Sequence, residues 1–221
     1  LPKDSTQAVK WCLDNKHEIV CLIAIKPKDT SAYLWHYPLT EWTILQAEAM
    51  GLPIIILKCD KLGAREEAEE LRKVFDKVNI DAVVLGGVGL QKTQIKEVER
   101  VAEEYKIKVI VPYSSFTSEQ LLKEEINSGL KIIITDVATD GLGADWLGKV
   151  IDENSLNDLI NRSKKFGFDC LGEGGSYNSF VVDAPMFNKK IEFTNVTRFW
   201  DNKTSSGYLD VKEAVLVPKS V

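Results

Sequence analysis

The sequence contains no apolar run approaching the roughly 20 residues that a membrane-spanning helix needs. Its opening, Leu1-Pro2-Lys3-Asp4, lacks the apolar stretch of a signal peptide. No Cys-x-x-Cys occurs, and Cys12, Cys21, Cys59 and Cys170 are scattered. That excludes an obvious zinc site or disulfide framework and suits reduced, buried thiols in a cytoplasmic protein. There are only 2 His residues, no Walker pattern of a P-loop nucleotidase, no fixed-period repeat and no low-complexity tract. Excess positive charge is also missing. The formal net charge is −5, which argues against a chain that wraps nucleic acid. What remains is 221 residues, 44% hydrophobic and 28% charged, enough to bury a sizeable core.

Short continuous apolar runs lie at 19–25, 53–57, 82–85, 107–111 and 131–135. Such runs suit strands buried on both faces, hence a mostly parallel sheet with the 19–25 strand near its middle. Between them fall helical stripes: Ala8, Val9, Cys12 and Leu13; Ala68, Leu71, Phe75 and Val78; Ile95, Val98, Val101, Ala102 and Tyr105. Thr117-Ser-Glu-Gln120 has the form of a capping box opening a helix through Leu121, Leu122 and Ile126. This alternation predicts a doubly wound α/β layer. After about Asp136 the texture changes. Segments 178–183, 190–193 and 208–217 read as antiparallel strands, interrupted by a helix over 155–165. The expected division is a nucleotide-type domain over 1–115 and a smaller α+β domain over 116–221. A doubly wound domain ordinarily begins with a strand, yet this sequence enters a helix almost at once. If no strand precedes that helix, the sheet should show a gap or an exposed edge beside it.

Four segments carry candidate chemistry. Lys3-Asp4-Ser5-Thr6 opens a helix, where Asp and Ser serve as N-caps; the same helix end with a lysine and hydroxyls is also a phosphate site. His36 lies in the aromatic loop Ser31-Ala-Tyr-Leu-Trp-His36. It is either a packing residue or a ligand contact at a strand's C-terminal end. Gly172-Glu173-Gly174-Gly175 is either a glycine turn into a strand or a carboxylate whose glycine neighbours let a ligand approach closely. Trp146, within Gly141-Leu-Gly-Ala-Asp-Trp-Leu-Gly-Lys149, reads as an interface anchor.

Taken in order, Lys3-Asp-Ser-Thr6, Tyr33-Leu-Trp-His36, Gln46-Ala-Glu-Ala-Met-Gly-Leu-Pro53, Trp146-Leu-Gly-Lys-Val-Ile-Asp152 and Gly172-Glu-Gly-Gly175 with Phe180-Val-Val-Asp-Ala-Pro-Met-Phe187 resemble the diphthine–ammonia ligase family. These are N-type ATP pyrophosphatases, also called adenine nucleotide alpha hydrolase-like proteins. The resemblance implies a Rossmann-like (HUP-type) domain followed by a substrate domain. It also implies ATP-dependent amidation of diphthine on translation elongation factor 2, with ammonium as nitrogen source and AMP and pyrophosphate as products. By the same resemblance Glu173 is catalytic, and Lys3, Asp4, Ser5, Thr6 and His36 bind ATP, taken with Mg2+. Gly174, Gly175 and Asp183 bind substrate, and no metal ligand is assigned. A cytoplasmic enzyme with no membrane or nucleic-acid partner is expected, with a homodimer as its assembly.

The sequence departs from the family pattern at several points. Leu1 and Pro2 stand where the family has two glycines, and proline offers no N–H. Ser176, Asn178 and Ser179 replace Glu, Glu and Thr. The family's Ser-x-Tyr-Gln-x-x-Arg segment is reduced over 91–97 to a match at Gln94. These departures keep open an alternative, a diverged relative that binds nucleotide or a partner without ligase activity. A tRNA-modifying pyrophosphatase would need a basic face or a cysteine pair, and neither is present.

Overall fold

The computed structural model describes residues 1–28, 39–88 and 92–219. In chain order its elements are α1 (Lys3–Asp14), β1 (Leu22–Pro27), α2 (Thr43–Met50), β2 (Ile54–Cys59), α3 (Ala64–Ala68), α4 (Arg72–Phe75) and β3 (Ala82–Val84). Then follow α5 (Lys92–Glu104), β4 (Lys108–Ile110), α6 (Ser118–Asn127), β5 (Lys131–Ala138), β6 (Val150–Ile151) and α7 (Glu153–Phe166). The chain closes with β7 (Tyr177–Asp183), β8 (Lys189–Asp201) and β9 (Ser206–Pro218). All five apolar runs become strands.

Their arrangement differs from the expected sheet in two ways. β1 pairs parallel with β2, Leu22 opposite Ile54, and β3 pairs parallel with β4, Ala82 opposite Lys108. Among the described residues no strand joins the two pairs, so β1 is an edge and not a central strand. Leu1 and Val9 pack with Leu22 of β1, while the Asp4–Ser5 backbone meets Gly86 just past β3. Helix α1 thus touches both pairs.

The second correction concerns the fifth run. β5 is antiparallel to β6, β7 and β9 and lies within the C-terminal sheet, whose order is β6-β5-β9-β8 with β7 also on β5. An unbroken apolar run reports burial on both faces, and it carries no information about strand direction. Ile132, Ile134 and Val137 are all buried.

Two apolar cores follow from this. One joins Ile25, Cys59, Val83 and Ile107 to α3–α5 residues such as Ala68 and Val101. The larger one is built on β5, β7, α6 and α7 around Trp146. It also takes in Leu39, Ala49, Val88 and Tyr113 from before residue 115. Capping fixes the helix starts in this half: Thr117 Oγ1 accepts from the Gln120 N–H while Gln120 Oε1 accepts from the Thr117 N–H. No helix among the described residues is long and apolar enough to cross a membrane. Cys12, Cys59 and Cys170 are buried free thiols and Cys21 is half-buried.

Candidate active site

Helix α1 begins at Lys3 behind Pro2, whose missing N–H costs nothing at a helix start. No side chain caps this end, so the N-cap role expected of Asp4 and Ser5 is not filled; both lie inside the first turn. Lys3 is only 2% exposed. Its Nζ donates to Asp4 Oδ1 and Oδ2 at 3.0 and 2.9 Å, and lies 3.9 Å from Glu125 Oε2. Thr6 is buried too, its hydroxyl turned back to donate to the Pro2 carbonyl at 3.0 Å. The Leu1 amino group donates to Gln46 Oε1, which closes the turn from the other side.

Glu125, from α6, is the residue the motifs did not reveal. It is fully buried, and no hydrogen bond from the described residues reaches either of its carboxyl oxygens. Burial holds its carboxyl well above the usual carboxylate range, against the pull of the Lys3 ammonium, and the Asp4 carboxyl beside it adds to the rise. The same charges act on Lys3 in reverse. Burial pulls its ammonium down, but Asp4 and Glu125 together lift it above the ordinary lysine range. One signal in the sequence did point to Glu125. It falls on the stripe of Leu121, Leu122 and Ile126, where an α-helix turns its buried face.

Two further groups reach this cluster from the C-terminal half. Tyr177, at the start of β7, is buried, and its hydroxyl donates to the Cys170 carbonyl at 2.7 Å. Burial pushes its phenol up, with Lys3 opposing. Glu173 is half-buried, and its charge acts on the Glu125 carboxyl. It sits in a short 3-10 turn in which Gly172, Gly174 and Gly175 all have positive φ, between 76° and 87°. Gly174 and Gly175 are exposed beside it. Thus the Lys3-Asp4 turn packs against Glu125, and α1 also packs on β7, the strand that follows the Glu173 turn.

Other expected residues do not join them. Asp183 stands at the far end of β7, about 20 Å along the strand from Tyr177. There its carboxylate pairs with Lys219 at 2.7 Å and accepts from the Ala184 N–H. Asn178, where the family has a carboxylate, donates to Asp136 Oδ1 at 3.3 Å. Ser176 is buried and donates to the Asp169 carbonyl at 3.5 Å. His36 lies outside the described residues. Trp146 is fully buried in the larger core, with Lys149 Nζ 4.0 Å from its ring centre, and serves packing.

Comparison with known proteins gives a consistent result. Residues 2–109 match the profile of the diphthamide synthase N-terminal domain, and residues 117–217 that of the diphthamide synthase C-terminal domain. A diphthine–ammonia ligase of Homo sapiens is 30% identical over 211 residues, covering 86% of this chain and 78% of that protein. One from Rattus norvegicus is 31% identical with the same coverage. One from Schizosaccharomyces pombe is 28% identical over 96% of this chain, but only 38% of that longer protein is matched. Among solved structures, a predicted subunit of tRNA methyltransferase from Methanocaldococcus jannaschii aligns with a TM-score of 0.43 at 15% identity, covering 83% of this chain and 93% of that one.

Proposed function

The chain belongs to the diphthamide synthase family, and we propose that it amidates diphthine on translation elongation factor 2 in the cytoplasm, consuming ATP and ammonium. The observation that carries this reading is the packing of the Lys3-Asp4 turn against Glu125 and of α1 on β7, the strand that follows Glu173. A carboxylate is a poor electrophile, so it needs a leaving group. The diphthine carboxylate oxygen bonds to the α-phosphorus of ATP, and the bond to pyrophosphate breaks. Ammonium loses one proton to become ammonia, which forms the C–N bond and sheds a second proton as the C–O bond to AMP breaks; pyrophosphate takes up one of the two.

The α1 end fits a departing phosphate through its backbone. First-turn N–H groups have no acceptor within the helix, and the dipole favours an anion there. Pro2 contributes no N–H, and the Lys3 charge is already engaged by Asp4. Backbone donors therefore do more here than the lysine. Mg2+ would be held by the ATP phosphates with one or two carboxylates, and Asp4, in the first turn of α1, is the carboxylate placed to share it. On the opposite side Glu173, held open by Gly174 and Gly175, supplies the negative charge that cationic reactants require.

The test is AMP release by the protein with ammonium and diphthine-bearing elongation factor 2. Glu173→Gln should slow it at least tenfold, about 1.4 kcal/mol of transition-state stabilisation. Unchanged release would remove Glu173 from the mechanism. No AMP from the unaltered protein would replace ligase activity with nucleotide or partner binding alone.

A further inference from the structure

A cavity of about 420 Å³ opens at the start of α6, and its lining includes Cys170, whose carbonyl accepts from the Tyr177 hydroxyl. That volume lies within the range of small-ligand pockets. Phe116 and Phe168 supply aromatic walls, Ser163 and Cys170 are its buried lining, and Glu119, Lys164 and Asp169 stand at its polar side. The charges are not equivalent. Glu119 is already paired with Lys123 at 2.7 Å and Lys164 at 3.0 Å. Asp169 accepts only neutral donors, the Ser118 hydroxyl at 2.7 Å and the Leu171 N–H at 2.8 Å. Among the described residues no cation is paired with it.

Two aromatic rings and a carboxylate without a cation are the chemistry that recognises a quaternary ammonium. Methyl groups gain apolar contact and the charge is attracted to ring faces, while no N–H is present to demand an acceptor. A primary ammonium would seek three acceptors, whereas a quaternary one needs only the rings and the Asp169 charge. Burial pushes the Cys170 thiol up to about 11, so the floor stays neutral and polarisable. We propose that this open cavity, flanked by Phe116, Phe168 and Asp169, seats the trimethylammonium group of the substrate.

The assignment rests on the diphthine reading for its biological meaning, and it divides the work between two anionic groups. Asp169 takes the quaternary cation, and Glu173, four residues on, meets the ammonium. In diphthine the trimethylammonium nitrogen and the carboxylate share one carbon. A seat beside Cys170 therefore brings the reacting carboxyl to the side of the cavity that leads to Tyr177 and Lys3.

The experiment separates the cavity from catalysis. The protein is titrated with tetramethylammonium and, separately, with its uncharged counterpart neopentyl alcohol, following the aromatic NMR signals of Phe116 and Phe168. Saturable shifts at both rings with tetramethylammonium only are expected. Phe168→Leu and Asp169→Asn should each weaken that binding by about fivefold or more; in the second variant the amide oxygen can still accept from Ser118. In turnover, Phe168→Leu should raise the KM for the diphthine-bearing protein and leave the KM for ATP unchanged. No saturable shift, or equal binding of neopentyl alcohol, would overturn the assignment even if the ligase is active. An inactive ligase that still binds tetramethylammonium at these rings would leave the cation seat standing and sink the ligase reading alone.

Discussion

Glu125 has the wrong environment for a charge and a marginal one for a proton. Its folded-state affinity for a proton is raised by burial, so over the pH range above an ordinary glutamate's pKa the folded chain binds more protons than the unfolded one. Stability from this group is therefore intact at low pH and declines as pH rises from about 4.5 toward the raised value, at about 1.4 kcal/mol per pH unit. Glu125→Gln removes the titration while keeping the volume, and Lys3 retains Asp4. Urea melts of both proteins between pH 5 and 8 should show the variant gaining on the wild type as pH increases. Parallel stability curves would mean that Glu125 is ionised in the fold.

At the scale of elements, the contact between α1 and the end of β3 depends on one missing side chain. A Cβ on Gly86 would lie 2.4 Å from the Asp4 carbonyl carbon and 2.5 Å from the Ser5 nitrogen, both of them backbone. Gly86→Ala must therefore move the helix, and overpacking of this kind costs about 1–3 kcal/mol. Gly174→Ala makes a useful contrast. It meets nothing within 4 Å, but its φ of 76° charges the new residue about 1–2 kcal/mol of backbone strain. Thermal melts should show both variants destabilised, while AMP release per folded molecule falls further in Gly86→Ala, because only that change displaces Lys3 and Asp4. Equal losses would separate the α1–β3 contact from function. The sequence pattern made much of this level legible. Apolar runs marked β1 to β5, the Thr117–Gln120 box marked the start of α6, and the 155–165 charge pattern marked α7. It could not show the break between α3 and α4, where a continuous stripe conceals a change of helical pitch. Nor could it show that Lys3 turns inward, since its partner Glu125 is supplied by a helix more than a hundred residues later. The glycines on either side of Glu173 were legible because positive φ leaves a mark in composition.

For the whole molecule, the division of the parallel layer has a consequence in time. Among the described residues the β1–β2 and β3–β4 pairs share no ladder, and each of their strands has a partner strand on one side only. β5, by contrast, is hydrogen-bonded on both sides and lies in the larger core. Such unequal bracing lets part of a protein open while the rest stays closed. In deuterated solvent the amides of Leu22–Pro27 should exchange well before those of Ile132 and Ile134, and at a rate that tracks mild denaturant less steeply, because their opening exposes less surface. Simultaneous exchange would make the chain a single cooperative unit. If the order is as expected, the half that carries β1 breathes on a shorter clock than the half built on β5.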